Sequence, residues 1–150
     1  AGRRRGADPR RPTPAPAGLM NAKASHRSVP CGPSDARSRL VDARAFLDVA
    51  EVSDNTDVIA TNAIHAAIAA SDVLCCLALG ERSSSANHAD AVELLHPVDA
   101  TAANSLRRCL DLKTKAAYEA RDLSAKDAAA TVRRAIHLVE AAERALLTAP

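Results

Sequence analysis

One phenylalanine, one tyrosine and no tryptophan leave this chain to build its core from alanine, leucine, valine and isoleucine. Sheets draw their stability from aromatic and β-branched side chains meeting across strands, whereas small unbranched side chains let helices approach closely. The composition therefore predicts an all-α fold. A length of 150 residues suits one domain with a compact core, somewhat less once the first segment is set aside.

Apolar spacing places five helices. The first runs from about Ser34 to Val52, with Leu40, Ala43, Leu47 and Ala50 at helical intervals and Phe46 beside them. The turn Ser53 to Thr56 offers N-cap residues for a second helix from about Thr56 to Leu79, closed by Gly80. That helix is apolar nearly all round, which predicts the central position in a bundle. A short third helix spans about Asn87 to Leu95 and is ended by Pro97; a fourth spans about Asp99 to Tyr118, with Leu106, Leu110 and Lys113 on one stripe. The fifth begins at a capping box, Ser124 with Asp127, and carries an apolar seam of Val132, Ala135, Val139, Ala142 and Leu146. No strand-like alternation and no solenoid repeat is visible.

The net charge of +2 averages two unlike parts. Residues 1–30 hold seven Lys and Arg against Asp8, hence +6, and the remaining 13 basic and 17 acidic side chains give −4. The first part is basic, Pro-rich and poor in apolar residues, so residues 1–30 are expected to be disordered, with residues 34–148 forming the helical domain. Such an arm either binds nucleic acid or is simply solvated. Met20 is the only methionine, and a natural start there would make residues 1–19 upstream sequence. The basic start is followed by prolines rather than an apolar run, unlike a secretory signal, and the longest apolar stretch, Val58 to Leu79, is interrupted by Asn62, His65, Ser71 and Asp72. No membrane span and a cytoplasmic location are the expectation. Cys31, Cys75, Cys76 and Cys109 form no CxxC pair or zinc spacing, and reduced, buried thiols are expected.

Two features carry chemistry. On the second helix Asn62, His65, Asp72 and Cys76 share one face, a polar stripe that must find partners if buried. The stripe either bonds neighbouring helices, faces solvent, or lines a cleft. His65 and Asp72 lie two helical turns apart, too far for a direct hydrogen bond along the helix. The second feature is Arg82 followed by His88 across five small or polar residues, where a helix begins. A guanidinium holds a phosphate through several donors and an imidazole moves a proton near neutral pH, so the pair suits phosphodiester cleavage without metal or cofactor. Asn87 is the expected N-cap beside it, turning the first helical amides toward a bound phosphate. Glycine is scarce, and no GxSxG, HExxH or phosphate-binding loop is present, so serine-hydrolase and zinc-protease chemistry are disfavoured.

Three segments also resemble a known family. ATNAIHAAIAASDVLCC, Ala60 to Cys76, resembles the Ala-rich second helix of HEPN domains; HADAVELL, His88 to Leu95, resembles their short helix opening on histidine. LKTKAAYEARDLSAKDAAATVRRAIHLVEAAERAL, Leu112 to Leu146, resembles their final turn and closing helix. The resemblance covers about residues 34–147. It implies a four- to five-helix bundle that dimerises, and an activity as metal-independent endoribonuclease, often a toxin neutralised by a nucleotidyltransferase antitoxin. The family motif is Arg, four to six residues, then His, which Arg82 and His88 match. A homodimer would bring two such pairs into one groove and supply both acid and base. The competing expectation is a non-catalytic HEPN module whose groove binds a protein partner or nucleotide, in keeping with the acidic balance of the folded part.

Overall fold

The computed structural model describes residues 27–118 and 123–150. In chain order these form strand β1 (Ser28–Pro30), helices α1 (Pro33–Val52) and α2 (Thr56–Leu79), strand β2 (Glu81–Ser83), and helices α3 (Ala89–Leu95), α4 (Ala100–Tyr118) and α5 (Ala125–Thr148). The architecture is an all-α bundle with one small antiparallel ribbon, in which Ser28, Val29 and Pro30 pair with Ser83, Arg82 and Glu81. The ribbon corrects two expectations. Three-residue strands are too short to show alternation, so no strand was legible; and residues 28–30, placed with the disordered arm, are ordered by β2. The rest of that disorder expectation, residues 1–26, lies outside the described residues.

Each helix end has a local cause. Pro33 stands at the first turn of α1, where its missing N–H costs nothing, and the Asp35 carboxylate accepts the Gly32 N–H at 2.8 Å. Asn55 caps α2: its Oδ1 accepts from the amides of Asp57 at 3.0 Å and Val58 at 3.1 Å. At the other end Gly80 sits at φ 68°, the left-handed conformation that glycine adopts without Cβ strain, and donates its N–H to the Cys76 carbonyl. Ser124 caps α5, its Oγ accepting from Asp127 N at 3.0 Å. Replacing Asn55 by Ala should cost about 1 kcal/mol, since two orphan amides of the central helix lose their acceptor. Urea denaturation should register this as a lower midpoint at unchanged slope.

α2 is the central element, as its apolar circumference implies, and packs chiefly against α1 and α5. Ala63, Ala66, Ala67 and Ala70 are wholly buried, so the helices meet over methyl groups rather than long side chains. α2 is long and apolar enough to cross a membrane, yet most of its surface is covered inside the bundle. Larger side chains fill the flanks: Leu95 of α3, Leu106 of α4 and Leu138 of α5 are fully buried, each contributing about 1.5–3 kcal/mol. The α5 seam is rotated from its expected position. Its buried face runs through Ala128, Thr131, Ala135, Leu138, Val139 and Ala142, while Val132 and Leu146 are half-buried at its edge. The cause is that α5 packs on α2, α4 and α1 together, which needs a wider face than a two-helix seam.

The cysteine expectation is overturned for two of four residues. Cys31 and Cys76 form a disulfide, Cα atoms 5.3 Å apart, that ties the segment after β1 to the last turn of α2. Cys75 and Cys109 remain free and buried. Nothing in the spacing pairs residues 45 apart; folding the ribbon back onto α2 does.

Candidate functional site

Arg82 and His88 leave α2 by a route held at nearly every step. The left-handed Gly80 turns the chain out of the helix, and its carbonyl accepts the Cys31 N–H at 2.9 Å. β1 then pairs with β2, opposing Val29 to Arg82, while the Ser28 hydroxyl donates to Glu81 Oε2 at 3.1 Å. Beyond the ribbon, side chains substitute for regular structure: Ser83 Oγ accepts from Ser85 N at 3.4 Å, Ser85 Oγ from Asn87 N at 3.1 Å, and Asn87 Oδ1 from Ala89 N at 3.1 Å. This run of turns delivers His88 at the opening of α3. The N-cap position itself is taken by His88, with φ −65° and ψ −14°, and not by Asn87, whose side chain caps from one residue earlier.

The charges of Arg82 and His88 are both felt at Asp72. This carboxyl is buried on α2, and its Oδ2 receives two donors from Arg39 of α1, Nε at 3.0 Å and Nη2 at 2.7 Å. Its Oδ1 has no hydrogen bond among the described residues. Burial pushes the Asp72 carboxyl above its ordinary range; the Arg39 hydrogen bond and charge, then the charges of Arg82 and His88, pull it back. Arg39 also reaches Asp42 at 3.1 Å, so one guanidinium joins a surface carboxylate to a buried one.

His88 is half-buried, and its pKa lies below the ordinary imidazole value. Desolvation is the main cause, Lys113 and His65 add repulsion, and Asp72 opposes them. His65 is likewise held low by burial and by Lys113, and stands edge-on to Phe46 with ring centres 5.2 Å apart. His65, Asp72, Arg82 and His88 therefore share one electrostatic neighbourhood, with Lys113 facing it from α4. Asn62 is not brought to it by any described contact: it lies ten residues, about 15 Å, before Asp72 along α2, and its Nδ2 donates to the Val58 carbonyl at 2.9 Å. Cys76, the fourth member of the polar stripe, is taken up by the disulfide.

The neighbourhood opens onto a cleft of about 660 Å³ between the start of α3 and the outer face of α4, lined among others by Asn87, His88, Val92, Arg107, Leu110 and Lys113. Its lining sets the apolar Val92 and Leu110 among two cations, Arg107 and Lys113, and two carboxylates, Glu93 and Asp111. Sequence reasoning left out Arg39, Arg107 and Lys113. The burial of Asp72 demanded a partner without naming it, and Lys113 was visible only as a basic residue continuing the Leu106–Leu110 stripe. Among the described residues no group of His, Cys, Asp and Glu is gathered that could hold a metal ion. No family model matches this chain, and neither a curated protein nor a solved structure does.

Proposed function

We propose that the chain is a HEPN-like protein that cleaves RNA at the Arg82–His88 pair by metal-independent transesterification. One observation carries the reading: His88 lines an open cleft, and its charge and that of Arg82, five residues between them in sequence, are both felt at the buried Asp72 carboxyl. His88 is the group kept neutral by its surroundings and so available to accept a proton. It takes the proton of an RNA 2′-hydroxyl as that oxygen attacks the adjacent phosphorus. The bond from phosphorus to the 5′-oxygen breaks, leaving a 2′,3′-cyclic phosphate and a 5′-hydroxyl, and the leaving oxygen needs a proton of its own. One imidazole cannot serve both ends at once, and a second copy of the chain supplies the other in a homodimer. Arg82 stabilises the charge gathering on the phosphorane oxygens through several donors. A cytoplasmic toxin paired with a nucleotidyltransferase antitoxin is the setting this reading proposes.

Purified protein incubated with single-stranded RNA and EDTA should yield fragments ending in cyclic phosphate, and Arg82→Ala should lower their rate by about 10²–10³. Products ending in a plain 3′-hydroxyl, or the absence of cleavage with wild-type protein, would sink the catalytic reading. The cleft would then be that of a binding module.

A further inference from the structure

A second groove lies on the other side of α4. It holds about 460 Å³ and is lined by Thr101, Asn104, Ser105, Arg107, Arg108, Asp111 and, from α5, Arg134. An adjoining depression shares Arg108, Asp111 and Arg134 and continues toward Thr131 and Asp127. The sequence of α4 accounts for the arrangement. Residues 101, 104, 105, 108 and 111 follow steps of three and four and so make one stripe, while 107, 110, 111 and 114 make the neighbouring stripe that lines the His88 cleft. Arg107 and Asp111 belong to both linings and stand on the ridge between the two hollows.

Most arginines of the described residues lack a carboxylate partner, Arg39 and Arg44 being the two that are ion-paired; what sets this groove apart is that three of the unpaired ones line a single hollow. Arg108 and Arg134 make no ion pair among the described residues, and Arg107 donates only to the neutral Asn104 Oδ1 at 3.2 Å. Even Asp111, one helical turn from Arg107 and Arg108, is not paired with either. Three planar cations without carboxylate partners among the described residues, alongside the hydroxyls of Thr101 and Ser105, have the chemistry to hold anions.

We infer that the Arg107–Arg108–Arg134 groove binds the phosphates of a single-stranded RNA that crosses the α4 ridge from the His88 cleft. The route of the strand rests on the phosphodiester reading of that cleft; the binding of phosphates by the groove does not. Single-stranded RNA is favoured over a small anion because the two hollows adjoin, sharing Arg107 and Asp111 in their linings, and successive phosphates of one strand can occupy both. Asp111 sits in the path and opposes the phosphates, which gives the site a residue whose removal should strengthen binding.

The test uses the whole chain and a fluorescein-labelled 12-nucleotide RNA bearing 2′-O-methyl groups throughout, which can bind but cannot be cleaved. Anisotropy titrations over a range of salt should show Arg108→Gln/Arg134→Gln weakening binding roughly tenfold at low salt, with the salt slope falling by about 0.7 for each phosphate no longer neutralised. Asp111→Asn should tighten binding about two- to threefold. Arg108→Lys/Arg134→Lys, which keeps the charge, should retain most of the affinity. Equal affinity and slope in wild type, the glutamine pair and Asp111→Asn overturns the groove, and so does a preference for duplex over single strand. Cleavage is read separately, on unmodified RNA with wild type and His88→Ala. Loss of binding in the glutamine pair without any wild-type cleavage keeps the groove and ends the catalytic reading; normal cleavage with unaltered binding does the reverse.

Discussion

Reduction of the Cys31–Cys76 disulfide is expected to remove about 4 kcal/mol of stability, because the bond closes a 45-residue loop in the unfolded chain. For a domain of this size the melting temperature should drop on the order of 10–20 °C. The loss is mainly an effect on the unfolded state: reduction frees that chain to explore conformations the bond forbids. Folded contacts suffer locally, since β1 then keeps its pairing with β2, the Ser84 N–H on the Arg27 carbonyl, the Cys31 N–H on the Gly80 carbonyl and Ser28 on Glu81, but loses its covalent tie to α2. Disulfide exchange should not blur the measurement. Cys75, adjacent to Cys76, is buried, and burial, aided by the charge of Asp72, pushes its thiol up to about 12; Cys109 is pushed up to about 11. Neither supplies thiolate near neutral pH. Thiol titration of the denatured, unreduced protein should find two free cysteines, and thermal scans with and without a phosphine reductant should separate by the stated interval. Four free thiols, or coincident scans, would show that the bond does not form. Because such bonds persist in oxidising compartments, the same titration on protein taken directly from cells bears on the cytoplasmic setting proposed above.

His88→Ala is expected to lower RNA cleavage by about 10²–10⁴, the usual contribution of a positioned acid–base group. The fold should survive, since His88 is half-buried and its side chain caps no helix. The pH profile is the more specific check. Burial, then the charges of Lys113 and His65, lowers the His88 pKa, so the neutral imidazole persists to lower pH than in a free histidine. If neutral His88 is the base, kcat/KM should fall on the acid side along a limb below about 6.5. Removing a charge that repels the imidazolium must raise the pKa, so Lys113→Gln should move the limb upward. Removing the carboxylate that favours the imidazolium must lower it, so Asp72→Asn should move the limb downward, with a cost in stability from the stranded Arg39. A limb that stays in place in both variants would show that it belongs to another group. The same shift bears on stability: a histidine whose folded pKa lies below its unfolded value favours folding above the unfolded pKa, and that contribution is lost as pH falls through the window between the two.

Two hollows flank α4, the His88 cleft and the Arg108–Arg134 groove. Their chemistry differs in a useful way. The His88 cleft combines a titrating group with the apolar Val92 and Leu110, while the Arg108–Arg134 groove is polar and has only permanent charges. Affinity and turnover should therefore respond to different substitutions.

Much of this protein could be read directly from its residues. The near absence of aromatics dictated helices, the all-round apolar character of Thr56–Leu79 dictated which helix is central, and the capping residues Asn55, Gly80 and Ser124 fixed helix ends almost to the residue. These are local determinants, set by a side chain and its own backbone within a turn or two. The spacing of Arg82 and His88 was legible for the same reason. What only the tertiary structure decided is everything that joins distant segments through weak or singular contacts. The β1–β2 ribbon is too short for any periodicity, the Cys31–Cys76 bond depends on the chain folding back on α2, and Arg39 reaches Asp72 from another helix. The seam of α5 turned because it serves three neighbours, and Lys113 became part of the His88 environment because α4 crosses beside α3. Periodicity reveals that a face must be covered. It carries no information on which partner covers it, since that is settled by how the whole set of helices packs at once.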